Sequence, residues 1–182
     1  MIYAFTTTTP DGPFSIVTSE EAVLASGWTD DIASLIALIH GDLRPRLEEV
    51  TTVSDPNGGA LATAVAALNA YYAGDSSLLA RVPVQQRSGP FREHAWDVLR
   101  TVAPGEVITY TEYANRSGRP SAVRAAASAC AMNAAALFVP CHRVQRTDGT
   151  LGGFRYGLPV KESLLARERT QEVYKRSESG NL

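Results

Sequence analysis

The sequence predicts a mixed α/β (α+β) fold in two parts, a small sheet with helices followed by a helical part. Three observations carry this expectation. The turn-forming run Pro10-Asp11-Gly12-Pro13 separates two apolar alternations, Tyr3 and Phe5 before it and Phe14, Ile16 and Val17 after it. From Phe91 onward apolar residues recur at helical spacing, at Phe91, Ala95, Val98, Leu99 and Val102. Between these stretches, residues 81–90 carry Pro83, Pro90 and a Ser-Gly-Pro turn, the best place for a boundary. The expected division is therefore 1–85, a linker at 86–90, a second domain at 91–169 and a polar tail at 170–182.

In chain order, the Pro10–Pro13 turn joins two short strands, and Val23, Leu24 and Trp28 suggest a third. Ile32 to Ile39 and Leu61 to Tyr72 look helical, and Ala73-Gly74 ends the second. Asp55-Pro56-Asn57-Gly58-Gly59 is a loop. Pro104-Gly105 stops the helix that begins near Phe91. Thr109-Tyr110-Thr111-Glu112 has the form of a capping box, so a helix starts at Tyr110 and ends near Gly118. Pro120 suits the first turn of a following helix that runs to about Met132. Leu137-Phe138-Val139 is a short buried run of strand character. The tail from Thr170 to Leu182 is polar enough for disorder.

Composition narrows the function. With 182 residues, 45% apolar and 20% charged, the chain can bury a core without staples. No apolar run reaches 18 residues, and Met1 to Pro13 lacks a secretory pattern, so an intracellular, cytoplasmic protein without membrane contact is expected. Two cysteines and three scattered histidines make neither a disulfide framework nor a metal site, so no metal and no cofactor is expected. The net charge of -2 hides an asymmetry: four Arg against ten acids give -6 over residues 1–90, and thirteen Lys plus Arg against nine acids give +4 over 91–182. The basic part can face a polyanion while the acidic part faces away, or the split is accidental.

Two features invite chemistry. The helices joined by Ser117-Gly118-Arg119-Pro120 form a helix-turn-helix candidate, although many such pairs only pack a core. The second of them is nearly bare, with Ala122, Ala125, Ala126, Ala127, Ala129 and Ala131 around one long basic side chain, Arg124. Such a surface fits either tight packing or close approach to a groove. The other feature is Pro140-Cys141-His142-Arg143-Val144 at the end of a buried run. A free thiol with a pKa near 8.5 is only about 3% thiolate at pH 7, so a nucleophilic cysteine needs a base or a positive field. His142 can be that base and would need a carboxylate to orient it; the alternative is an inert packed cysteine.

The segment Asn133 to Val144 resembles the active-site motif of the O6-alkylguanine-DNA alkyltransferases. Pro104-Gly105-Glu106-Val107-Ile108-Thr109-Tyr110, the loop Asp148 to Gly157 and the run Lys161 to Glu168 extend the likeness. Thr9-Pro10-Asp11-Gly12 and Leu68 to Gly74 are weaker matches in the first part. The resemblance implies an RNase H-like first domain and a winged-helix-like second domain that carries the chemistry. It implies that Cys141 accepts the alkyl group, that His142 activates it through a water, and that Glu168 orients His142. Asn133 would brace the active-site turn. Tyr110 would contact a phosphate and help protonate the departing guanine. Arg124 would fill the gap left by a flipped nucleotide, with Thr111, Arg119, Ala122 and Ala125 also on the DNA face. Val144, Phe154, Arg155 and Tyr156 would form the substrate pocket.

The partner implied is alkylated double-stranded DNA, bound through the minor groove by a monomer, with cooperative binding on DNA as an open variant. The reaction implied is single-turnover transfer from O6-alkylguanine, with O4-alkylthymine as a second candidate. The alternative is a non-enzymatic lesion sensor, which in this family commonly carries tryptophan where Cys141 stands. A Cys-His hydrolase would leave Arg124 and the alanine helix unexplained. Two departures stand out: Ala134 follows Asn133 where many members have proline, and Phe154 stands where tyrosine is more frequent.

Overall fold

The computed structural model describes residues 1–180. Strand β1 (Ile2–Thr9) pairs antiparallel with β2 (Gly12–Thr18), and Thr9 faces Gly12 across the turn. Gly12 takes φ +103°, a conformation that few residues other than glycine tolerate, and Thr9 Oγ1 donates to its carbonyl at 2.8 Å. Strand β3 (Val23–Gly27) pairs antiparallel with β2. Helix α1 (Ile32–Ile36) begins where Asp31 accepts the amide of Ser34, and it stops three residues short of the expected Ile39. Strand β4 (Val50–Thr52) lies parallel to β1, completing the order β3-β2-β1-β4. Sequence patterning did not foresee β4.

Helix α2 (Gly59–Tyr72) buries Leu61, Ala64, Leu68 and Tyr71. With Phe14 and Ile16 of β2, these residues join a core cluster that continues into Leu99, Tyr113, Phe138 and Leu164. The other face of the sheet packs Ala4, Val17 and Leu24 against Leu35 and Ile39. Burial of each large apolar side chain contributes about 1.5–3 kcal/mol, so the core shared by early and late segments is a main source of stability.

The later elements are α3 (Pro90–Leu99), β5 (Ile108–Thr109), α4 (Tyr110–Arg116), α5 (Val123–Ala131), β6 (Val144–Gln145) and α6 (Leu158–Ser179). Strands β5 and β6 form a short parallel pair, which holds the start of α4 beside the end of the Cys141 segment. Thr109 Oγ1 accepts the amide of Glu112, as the capping pattern requires, while the Glu112 carboxylate pairs with Arg116. Trp96 Nε1 donates to Ala129 O at 2.8 Å and Tyr113 Oη to Ala95 O at 2.6 Å, so α3 packs on both α4 and α5.

Three expectations are corrected. Pro120 lies in a turn, because the Ala122 amide bonds Arg119 O and α5 begins only at Val123. Leu137–Val139 is buried but not a strand. The expected tail is helical from Thr170 to Ser179, since its Glu, Arg, Lys and Gln residues favour helix and pair at i,i+4, as Glu172 and Arg176 do at 3.2 Å. Asn181 and Leu182 lie outside the described residues.

Candidate active site

Helix α5 ends two residues before Asn133, whose amide organises the turn that follows. Asn133 Nδ2 donates to Val139 O at 2.8 Å, and its Oδ1 accepts from the Ala135 amide at 3.0 Å. Gln86 completes the brace: its Nε2 donates to Asn133 Oδ1 at 3.0 Å, and its Oε1 accepts the Ala134 amide at 2.8 Å. Ser26 at the end of β3 takes the remaining buried groups, with its amide on Ala134 O, its carbonyl on the Ala136 amide and its hydroxyl on Ala136 O. These bonds replace a strand ladder, which is why an apolar run that reads as strand folds as a turn.

Leu137 adopts φ +74°, a left-handed conformation that costs a non-glycine residue about 1–2 kcal/mol. Pro140 (φ -83°, ψ 63°) closes an inverse γ-turn in which the Cys141 amide donates to Val139 O. Cys141 is thereby set at the wall of a cavity of about 380 Å³.

Tyr110, Asn133, Phe154, Arg155 and Tyr156 line that cavity with Cys141. Cys130, near the end of α5, lines it too. The Val144 side chain does not, being fully buried, and the Val144 carbonyl accepts the Lys161 ammonium at 2.8 Å with one of its two lone pairs. Lys161 Nζ also donates to Leu151 O at 2.5 Å, tying α6 to the loop over the cavity. On the outer surface, Arg124 and Ala125 are exposed on α5 and Ala122 caps it half-buried. Arg119 stacks over the Phe91 ring at 5.0 Å, and Thr111 Oγ1 meets Thr147 Oγ1 at 2.8 Å.

Behind Cys141, His142 and Glu168 are each 1% exposed, with Nε2 and Oε2 2.6 Å apart. A carboxylate can only accept, so Nε2 carries the proton and Nδ1 is left as an acceptor. Nδ1 is buried with no protein partner, which suits a bridging water. Glu168 gathers two more donors that sequence patterning missed: Arg143 Nε reaches Oε1 at 2.5 Å and Tyr71 Oη reaches Oε2 at 3.1 Å. Arg143, Lys161 and Tyr71 lie in segments that carry the resemblance, but nothing in the sequence gives them these roles, and Gln86 lies in the stretch expected to be a linker.

Burial alone would raise the Glu168 pKa, but His142 and Arg143 outweigh it and bring the carboxyl down to about 2. Burial pushes the His142 pKa below its ordinary value despite Glu168, so the imidazole is neutral at pH 7. Burial also pushes the Cys141 thiol up, opposed by the Asn133 hydrogen bond and by the charges of Lys161 and Arg155. The resting group is therefore a thiol that requires a base, with a neutral imidazole next to it in the chain.

The first strands reach the cavity wall through aromatic rings. Trp28 lies 5.4 Å from Tyr156 and 5.9 Å from Phe154 between centroids, and its Nε1 donates to Tyr72 Oη at 2.9 Å. Tyr156 Oη lies where a Cβ on Gly27 would be, only 1.9 Å away. Gly27→Ala is therefore expected to displace Tyr156 and cost about 1–3 kcal/mol, the scale of overpacking. Thermal unfolding checks this, with a fall of about 2–4 °C per kcal/mol.

Among the described residues, no group of three or more His, Cys, Asp or Glu side chains is placed to hold a metal ion, and no helix is long and apolar enough to cross a membrane. The family described as 6-O-methylguanine DNA methyltransferase, DNA binding domain, matches residues 90–170. The methylated-DNA–protein-cysteine methyltransferase of Shigella flexneri is 34% identical over 161 residues, covering 88% of this chain and 91% of that protein. The bifunctional transcriptional activator/DNA repair enzyme Ada of Escherichia coli is 48% identical over 91 residues, half of this chain but only 26% of Ada. The O6-methylguanine methyltransferase of Mycobacterium tuberculosis, solved also in complex with DNA, superposes with TM-scores of 0.73 and 0.74 at 29% identity, covering 94% and 93% of this chain and 94% of each solved chain. With a relative aligned along nearly its whole length and a mixed α/β fold shared with solved members, the chain belongs to the methylated-DNA–protein-cysteine methyltransferase family.

Proposed function

We propose that this protein repairs DNA by direct reversal, moving the alkyl group of O6-alkylguanine in a duplex onto its own Cys141, once per molecule. O4-alkylthymine is a second candidate substrate. The observation that carries the reading is Cys141 on a cavity wall, next in sequence to a buried His142–Glu168 pair whose Nδ1 lacks a protein partner. In the proposed step, His142 Nδ1 takes the thiol proton through a water. The thiolate sulfur forms a bond to the alkyl carbon as the carbon–O6 bond breaks. The electron pair leaves with guanine, which gains a proton by way of Tyr110. Glu168 holds the imidazolium that forms. The thioether has no simple return to thiol, so the molecule acts once.

The lesion must leave the stack to reach Cys141, at a cost of a few kcal/mol. Arg124, exposed on an alanine-rich helix, would occupy the gap, and the lack of bulk around it suits the narrow minor groove. Thr111, Arg119, Ala122 and Ala125 would flank it. Val144 would contribute its backbone carbonyl to the guanine edge, along with the Arg155 amide, while Phe154 and Tyr156 bound the cavity. The same reading gives an RNase H-like part at 1–85, a winged-helix-like part at 91–169, and an intracellular monomer.

The test mixes the protein with a duplex holding one O6-methylguanine and takes an intact mass, followed by peptide mapping. One added methyl on Cys141, saturating at one per protein, is the expected result. Tight lesion binding with no mass gain would replace the reading with a sensor, and neither binding nor gain would remove the function.

A further inference from the structure

Four arginines far apart in the sequence converge on a groove of about 300 Å³ at the C-terminal end of α5. Arg44 and Arg87 come from residues 1–90, which hold only four Arg in all, and Arg92 and Arg155 come from the later part. The groove shares Ala131 and Arg155 with the Cys141 cavity, so the two are neighbours. Three of its four arginines bond neutral oxygens. Arg44 donates to Ile39 O and Ala37 O, Arg92 to Ser88 Oγ and Ser128 Oγ, and Arg155 to Ala131 O. Arg87 has Glu93 at 3.4 Å, and His40 has Asp42 at 3.7 Å. A guanidinium has five N–H donors, so each arginine keeps donors for an anion.

The place of the groove indicates which anion. Arg124 near the start of α5 and Met132 at its C-cap are both exposed, eight residues and so about 12 Å apart along the axis. A minor groove is about 6 Å wide and is flanked by a phosphate row on each side. With α5 laid across the groove, a duplex that takes Arg124 would carry one phosphate row past Met132, toward the four arginines.

We propose that this groove grips the phosphodiester backbone of the strand beyond the C-terminal end of α5, so that Arg44 and Arg87 make the first part of the chain a DNA contact. The inference rests on the DNA-repair reading. It is tested on the full chain by fluorescence anisotropy with an unmodified duplex across a salt series. Wild type is compared with Arg44→Gln/Arg87→Gln and with a charge-matched control, Arg46→Gln/Arg81→Gln, whose positions lie outside the groove. The groove variant is expected to bind roughly tenfold more weakly and to lose about 1.8 from the slope of log K against log salt, the share of two phosphate contacts. The control is expected to keep the wild-type slope. Equal slopes in the two variants overturn the groove. Wild type that fails to bind the duplex overturns the DNA reading instead. If the double groove variant does not fold, Arg87→Glu alone, on an exposed side chain, is expected to lose at least half of that slope, and an unchanged slope overturns the groove.

Discussion

Cys141→Ser is expected to abolish alkyl transfer, by about 10⁴-fold or more, while binding to a lesion duplex stays near the wild-type level. The reason lies in the proton balance. Burial already holds the thiol above its ordinary pKa, and the base beside it is an imidazole with lowered basicity. That pairing can ionise a thiol for an instant but not an alcohol, which is far less acidic. The exchange of sulfur for oxygen removes little volume, so the cavity and the DNA face are left as they were. Single-turnover assay by intact mass reads the transfer, and anisotropy reads the binding. Transfer that survives in the serine variant would exclude Cys141 as the acceptor. In wild type His142 is already neutral at pH 7 and ready to take the thiol proton, so the rate is expected to hold level through neutrality. It is expected to fall in acid only below the usual histidine range, where His142 finally takes a proton.

The second large effect is on stability as well as rate. Glu168→Gln leaves Arg143 charged, 4% exposed and without its counterion. Breaking a buried pair in this way costs about 3–5 kcal/mol, or roughly 6–20 °C in this size range. The amide also ceases to stabilise the imidazolium, so transfer is expected to slow by about 10²-fold. A pH series separates these roles. The folded carboxyl titrates at about 2, below its unfolded value near 4.3, so its contribution is present above that value and is lost as pH falls toward 2. His142, with a folded pKa below 6.5, adds acid lability that begins as the unfolded imidazole takes up protons. Urea unfolding of the glutamine variant should lack the loss of stability between about pH 4 and 2 that wild type shows. An unchanged acid slope would mean that Glu168 is not the anion of this cluster.

Local patterning reached the elements that carry their own signal. The β1–β2 hairpin was legible because its turn residues and its alternation agree, and α4 because Thr109 and Glu112 mark its start. Strand β4 was not, since Val50, Thr51 and Thr52 form a three-residue edge with two exposed side chains and owe their geometry to β1. Leu137–Val139 misled because an apolar run reports burial, not backbone shape. The tail misled because its polarity suits disorder while the same Glu, Arg, Lys and Gln residues favour helix. Within the site, Cys141, His142 and Asn133 stood together in a recognisable segment. Tyr71, Gln86 and Lys161 act through contacts 97, 47 and 17 residues away in sequence, which no local pattern encodes.

The three donors on Glu168 constrain where the molecule can flex. Tyr71 belongs to α2, Arg143 and His142 to the cysteine turn, and Glu168 to α6, while Ser76 Oγ bonds Gln171 nearby. Separating early from late segments would strand a buried charge, so these elements should open only together. Native-state hydrogen exchange should then show α2 and the buried stretch of α6 around Glu168 as one cooperative unit with matching opening free energies. A hinge between the two parts is closed off by the same bonds.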